Sequence, residues 1–150
     1  MTLYDIKFRP YDFDNDPKRI VKHLYRNFNS HDGIDTLHRE DRIFLDKPHD
    51  NIRFVAEINN ELHSSLVLMR SKDPTMFTLY SLVTSEEMRG LGLATALFGY
   101  SKVWIRLQSG LIVSASTALD NHSAQRFFSA NDFRQIEHDN KEIYYEYSMV

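Results

Sequence analysis

The stretch Leu82-Val83-Thr84-Ser85-Glu86-Glu87-Met88-Arg89-Gly90-Leu91-Gly92-Leu93-Ala94-Thr95-Ala96-Leu97 decides the fold. It opens as a strand, where Tyr80, Leu82 and Thr84 alternate with Ser81 and Val83 among strand-favouring residues. It breaks at a loop holding Gly90 and Gly92. It resumes as a helix in which Leu93, Leu97, Tyr100, Trp104 and Leu107 keep a 4-3-4-3 spacing. A strand that passes through a glycine loop into a helix leaves backbone N–H groups unpaired at the helix start. Those groups and the helix dipole suit an anion, usually a phosphate. Gly90 and Gly92 carry no Cβ, so an anion can approach the backbone, and Arg89 adds a fixed positive charge beside it.

Three phosphate-loop readings compete. The Walker loop needs Lys and then Ser or Thr after its last glycine, but Leu93 and Ala94 follow Gly92, so that reading fails. The dinucleotide fingerprint wants Gly or Ala where Thr95 stands, and an acidic residue about 20 positions on. Residues 111 to 117 read Leu-Ile-Val-Ser-Ala-Ser-Thr and offer no acid. The third pattern is Arg or Gln, two residues, Gly, one residue, then Gly or Ala. Arg89, Gly92 and Ala94 fill it, and Gly90 is also usual there. This resembles the acetyl-coenzyme A pyrophosphate loop of the GNAT superfamily of N-acetyltransferases. For these six residues alone, an ordinary tight loop before a helix is the alternative, because short motifs misfire.

The chain has 150 residues, enough for one domain with a useful core. Hydrophobic residues make up 42% and charged residues 26%, an ordinary globular balance. A net charge of -3 gives no bulk attraction to nucleic acid. With no cysteine, disulfides, thiolate metal sites and a cysteine nucleophile are excluded. The start Met-Thr-Leu-Tyr-Asp-Ile-Lys does not read as a signal peptide, and no apolar run reaches spanning length. The expectation is a cytoplasmic protein with no membrane or nucleic-acid partner.

In chain order, Ile6, Phe8 and Tyr4 suggest a first strand ended by Pro10. Asp14-Asn15-Asp16-Pro17 starts a helix running to Phe28, with Ile20, Val21, Leu24, Tyr25 and Phe28 on one face. A second helical stretch holds Leu37, Ile43, Phe44 and Leu45. Ile52 to Ile58 and Leu62 to Met69 form a hairpin around Asn59-Asn60-Glu61, and Phe77 to Thr84 is the next strand. The long helix ends near Gln108, and Gly110 separates it from a strand over Leu111 to Thr117. Asp120-Asn121 begins a short helix carrying Ala124, Phe127 and Phe128 inward. Phe133 to Glu137 and Glu142 to Met149 are the last strands, with Ile143, Tyr145, Tyr147 and Met149 on one face.

The second half is similar to the GNAT superfamily along its length. Its second motif is an asparagine, an alanine, an aromatic pair, then a Gly-Phe ending. Asn121, Ala124, Phe127-Phe128 and Phe133 hold those places at matching spacing. The resemblance implies a single α/β (α+β) domain over 1–150. It would hold a mixed, mostly antiparallel twisted sheet of about seven strands flanked by about four helices. The sheet would splay between the fourth and fifth strands. Backbone groups freed there, on Leu82, Val83 and Thr84, would pair with the pantetheine amides of acetyl-coenzyme A. Arg89, Gly90 and the amides of Leu91, Gly92, Leu93, Ala94 and Thr95 would hold its pyrophosphate. Asn121 would contact the pantetheine arm, with Arg126, Phe127 and Phe128 near the coenzyme. Asn121 reads equally as a plain helix cap, and the two roles can coexist.

Three residues depart from the family pattern. Leu91 stands where a basic residue is frequent. Asp132 replaces the glycine before Phe133, a place that needs left-handed backbone, which Asp tolerates. Phe128 stands where many members have the tyrosine that protonates the departing thiolate.

The seven histidines form no metal spacing and read as scattered surface or loop residues. Tyr144, Tyr145 and Tyr147 suit either an acceptor site or sheet packing. Asp12-Phe13-Asp14-Asn15-Asp16 lacks the glycine and distal glutamate of a calcium loop and reads as a turn and helix cap. The resemblance implies acetyl transfer from acetyl-coenzyme A, as co-substrate and without a metal, to a small-molecule or protein amine by direct attack. A homodimer stays open. The catalytic residues are not legible: Tyr80, Glu57 and His63 are base candidates by strand position only. The alternative is a non-catalytic acyl-coenzyme A binding or regulatory module, which Phe128 favours.

Overall fold

Seven strands pair into one mixed sheet in the order β1-β2-β3-β4-β5-β7-β6. The computed structural model describes residues 5–27 and 51–150. The elements are β1 (Ile6–Pro10), α1 (Pro17–Asn27), β2 (Asn51–Ile58), β3 (Glu61–Arg70) and β4 (Met76–Thr84). A 3-10 turn (Glu86–Met88), α2 (Leu93–Leu107), β5 (Ile112–Ala118), α3 (His122–Ala130), β6 (Arg134–His138) and β7 (Glu142–Ser148) follow. Every pairing is antiparallel except that of β4 with β5. The helical stretch expected around Leu37, Ile43, Phe44 and Leu45 lies outside the described residues.

Local chemistry explains the element boundaries. The carbonyl of Asp16 accepts from the Ile20 amide at 2.8 Å and opens α1, with Pro17 at its first position. The Asp16 carboxylate, fully buried, takes the Asp12 amide at 2.8 Å and Arg9 Nη1 and Nη2 at 2.6 and 2.9 Å. Glu57, also buried, pairs with Arg9 and Arg19. These ion pairs tie β1, α1 and β2 together. Asn59 and Asn60 both have positive φ, 51° and 64°, which is what a two-residue primed hairpin turn requires. Asp132 has φ 65°, the left-handed backbone its position demands. The Phe133 amide still donates to Phe128 O at 3.0 Å, closing the end of α3, so β6 begins one residue later than the sequence suggested.

The sheet separates two cores. The larger includes Phe54, Leu66, Phe77, Phe98 of α2 and Phe128 of α3, with Ile143, Tyr145, Tyr147 and Met149 from the end of the chain. The smaller packs Ile20 and Leu24 of α1 on Val55, Leu62 and Val83. β2 and β3 are therefore covered on both faces and read as nearly continuous buried runs.

Candidate functional site

β4 and β5 run together for three residue pairs only: Met76 with Ile112, Phe77 with Val113, and Thr78 with Ser114. At the last pair Thr78 Oγ1 and Ser114 Oγ lie 3.1 Å apart, a side-chain hydrogen bond that closes the vertex. Beyond it β4 continues to Thr84 and β5 to Ala118 without pairing to each other. This is the expected splay. Two residues past the vertex, the β3–β4 register places Val67 opposite Ser81 and Leu68 opposite Leu79. Tyr80 is thus the extra residue of a bulge, which bends β4 and increases its twist. On the unpaired segment, Leu82 is half-buried against the larger core and Val83 is buried in the smaller one. The Thr84 hydroxyl is 2.9 Å from that of Ser64. Among the described residues, no strand pairs with the main-chain groups on the β5 side of this segment.

The end of β4 leads directly into the glycine loop. The buried Ser85 donates its amide to His63 O at 2.7 Å, which fixes where the strand stops. The 3-10 turn follows, and Arg89 Nε donates back to Thr84 O at 3.2 Å. Gly90 and Gly92 have φ +79° and +81°, a backbone that L side chains rarely adopt. The first intrahelical bond of α2 runs from Ala96 N to Gly92 O at 2.9 Å. The amides of Leu93, Ala94 and Thr95 precede that ladder, and no acceptor among the described residues takes them. A Cβ built on Gly90 or Gly92 meets no heavy atom within 4 Å, so the loop backbone is open to close approach at both glycines. Unpaired donors, a helix N-terminus and open space fit a diphosphate. Leu91, 69% exposed, adds nothing polar, whereas the buried Leu93 anchors the first turn in the core.

α3 forms the remaining part. Asn121 Oδ1 accepts from the Ala124 amide at 3.1 Å, so the cap reading is correct, and among the described residues no acceptor takes its Nδ2. Arg126 is exposed. Phe127 is half-buried with its ring edge-on to Phe98, centroids 6.2 Å apart. Phe128 is buried, with ring centroids 5.0 Å from Phe133 and 4.7 Å from Tyr145. Asn131 was not singled out from the sequence. It is buried, and its Nδ2 donates to Thr95 Oγ1 at 3.1 Å and to Phe127 O at 2.9 Å. It therefore ties the end of α3 to the first turn of α2. Its only sequence signal is its place before the left-handed Asp132.

The three base candidates separate. Glu57 is committed to Arg9 and Arg19. His63 is the extra residue of a β2–β3 bulge, buried, with Nδ1 3.1 Å from Ser85 Oγ and 3.3 Å from Glu87 Oε1. Tyr80, at the β4 bulge, is the exposed one. Among the described residues no cluster of three His, Asp or Glu is placed to hold a metal. No helix among them is long and apolar enough to cross a membrane.

A family model described as acetyltransferase (GNAT) family matches residues 17–133. No curated protein sequence matches the chain. Among solved structures, a GNAT-family acetyltransferase from Desulfovibrio desulfuricans is 15% identical. It has a TM-score of 0.83, covering 97% of this chain and 99% of that one. The PaiA N-acetyltransferase of Thermoplasma acidophilum, solved in complex with coenzyme A, is 14% identical with a TM-score of 0.80, over 96% and 99% of the two chains. An aminoglycoside 6'-acetyltransferase type Ii is 15% identical with a TM-score of 0.81, over 96% and 97%. At these identities the likeness is one of fold.

Proposed function

This chain belongs to the acetyltransferase (GNAT) family, and we propose that it moves an acetyl group from acetyl-coenzyme A to a primary amine by direct attack. The observation that carries this reading is the continuity of the β4–β5 opening with the glycine loop at the start of α2. One cleft offers strand-type backbone pairing at one end and an anion site at the other. A pantetheine arm ending in a diphosphate has that sequence of chemistries. The neighbour solved with coenzyme A supports the same ligand here.

Acetyl-coenzyme A supplies the acetyl group already activated as a thioester. In this reading the amides of Leu91 to Thr95, with Arg89 and Gly90 beside them, hold the diphosphate. Backbone groups of Leu82, Val83 and Thr84 take the pantetheine amides. Asn121 Nδ2 donates to the arm, and Arg126, Phe127 and Phe128 flank it from α3. A backbone N–H of the unpaired β4 segment faces the acetyl carbonyl, where negative charge develops during attack. The acceptor is a small-molecule or protein amine. We read residues 1–150 as one such domain, working in the cytoplasm.

A non-catalytic acyl-coenzyme A module is the second reading, and Phe128 favours it, because its ring has no proton to give. One experiment separates the two: an amine library screened for thiol release from acetyl-coenzyme A. Acetyl transfer predicts turnover with at least one amine. Saturable coenzyme binding with thermal stabilisation, but silence with every amine, overturns it in favour of the module.

A further inference from the structure

Phe128 leaves the departing thiolate without the hydroxyl that the family places there, and the surrounding rings indicate where a substitute lies. Tyr145 of β7 packs on Phe128 with centroids 4.7 Å apart and planes tilted by 33°. It sits opposite Ala115 of β5. Ser114, the residue before, is the last one paired with β4, so Tyr145 lies at the level where the sheet begins to open. Its cross-strand neighbour is only a methyl group, which leaves a large ring room to extend over β5. Tyr145 is 4% exposed overall, and its hydroxyl bonds to no group among the described residues, yet that oxygen is not sealed from solvent. A buried phenol normally finds a partner for its O–H. This one is held by its ring, and its polar tip is bonded to no described residue.

The other tyrosines of the strand are engaged. The Tyr144 hydroxyl donates to Asp139 at 3.0 Å and Glu142 at 3.2 Å, and the hydrogen bond to Asp139 leads in pushing it up to about 12. The Tyr147 hydroxyl accepts from Lys102 Nζ at 3.4 Å, with its ring against Phe98 and Phe133.

Resting on the acetyl-transfer reading, we propose that Tyr145 is a catalytic residue, the general acid that protonates the coenzyme thiolate in place of the missing tyrosine at position 128. As the amine nitrogen bonds to the acetyl carbon, the carbon–sulfur bond breaks and its electron pair stays on sulfur. The Tyr145 hydroxyl gives that sulfur its proton. The phenolate left behind recovers a proton from water, while the proton lost by the ammonium goes to solvent.

The test is Tyr145→Phe, which keeps the ring and removes an oxygen that hydrogen-bonds to no group among the described residues. Melting temperature and the KM for acetyl-coenzyme A should stay at wild-type values, while kcat falls at least about tenfold, toward the 10²–10⁴ typical of a general acid. Tyr145→Phe/Phe128→Tyr should recover part of that loss, because it returns a hydroxyl to the neighbouring ring. A second readout needs no turnover. The ultraviolet absorbance of thiolate, followed against pH for bound coenzyme A, should titrate at higher pH in Tyr145→Phe than in wild type. An unchanged kcat, or an unmoved thiol titration, overturns the role of Tyr145 and leaves acetyl transfer standing. Wild-type silence with every amine overturns both.

Discussion

Replacing Gly92 changes two quantities that the structure keeps apart. Its backbone has φ 81° and ψ 11° at the N-cap of α2. An alanine held there costs roughly 1–2 kcal/mol. Its methyl group meets no heavy atom within 4 Å, so no clash adds to that cost. At about 2–4 °C for each kcal/mol in a chain of this length, the melting temperature should fall by roughly 2–8 °C. Asparagine tolerates left-handed backbone better, so Gly92→Asn should recover part of that stability. Binding follows a different logic. Both substitutions put a side chain into the open space at Gly92, the residue just before the amides of Leu93, Ala94 and Thr95, and asparagine fills more of it. Titration calorimetry with acetyl-coenzyme A should show Kd raised about tenfold or more in both, which is ~1.4 kcal/mol or more. The expected pattern is therefore stability Gly > Asn > Ala but affinity Gly > Ala ≥ Asn. Wild-type affinity in a folded Gly92→Asn variant would refute the diphosphate site at this loop.

Arg89→Ala should weaken acetyl-coenzyme A binding by ~1 kcal/mol, since the side chain is exposed. Calorimetry at low and high salt checks it, because the loss should shrink as salt screens the charge. Gly110→Ala should cost about 1–3 kcal/mol in urea unfolding, because the new Cβ falls on Ile105 Cγ2 and 2.9 Å from Phe77 Cε2. Asp16 carries an acid limb of stability. Burial alone would raise its carboxyl, but the Arg9 hydrogen bonds and charge and the Asp12 amide outweigh that and hold it below its ordinary 3.8. A depressed folded value means stability that is complete above pH 3.8 and is lost as pH falls through the lower folded value. Asp16→Asn should flatten that limb in acid melts and cost about 3 kcal/mol at neutral pH, the low end for breaking a buried pair, because Arg9 keeps some water.

What the sequence made legible was whatever a residue dictates by itself or with near neighbours. Gly90 and Gly92 announce a loop whose backbone can be closely approached, and both adopt positive φ there. Asn59-Asn60-Glu61 announces a hairpin turn, and Asp132 tolerates the left-handed place usually given to glycine. The Asn121 cap and the face shared by Ile143, Tyr145, Tyr147 and Met149 follow from spacing alone. The bulges at Tyr80 and His63 were not legible, because a bulge is a mismatch between two strands and neither carries it alone. Nor was the role of Asn131 legible, because its amide reaches Thr95 across 36 positions of chain.

The opening between β4 and β5 is the clearest case of a feature owned by topology. Antiparallel neighbours are joined by hairpins, which hold the strands together at their ends. β4 and β5 are parallel, so their link is the whole α2 crossover, and nothing obliges them to stay paired past the first residues. What then decides where they part is the packing at the vertex. The Gly110 amide donates to Ile105 O at 2.9 Å, and its missing Cβ lets β5 start against Phe77 and Ile105. Leu111 and Ile112 donate to Thr75 O at 2.7 and 3.2 Å, and the Thr78–Ser114 hydrogen bond ends the contact. β7 then covers the far side of β5 along its length, from Ser148 opposite Ile112 to Glu142 opposite Ala118, so the freed edge of β5 cannot collapse away from the cleft. The cleft is thus fixed by a small glycine at one end and by a fully paired strand behind it. The glycine loop that reads so plainly in the sequence is only the far wall.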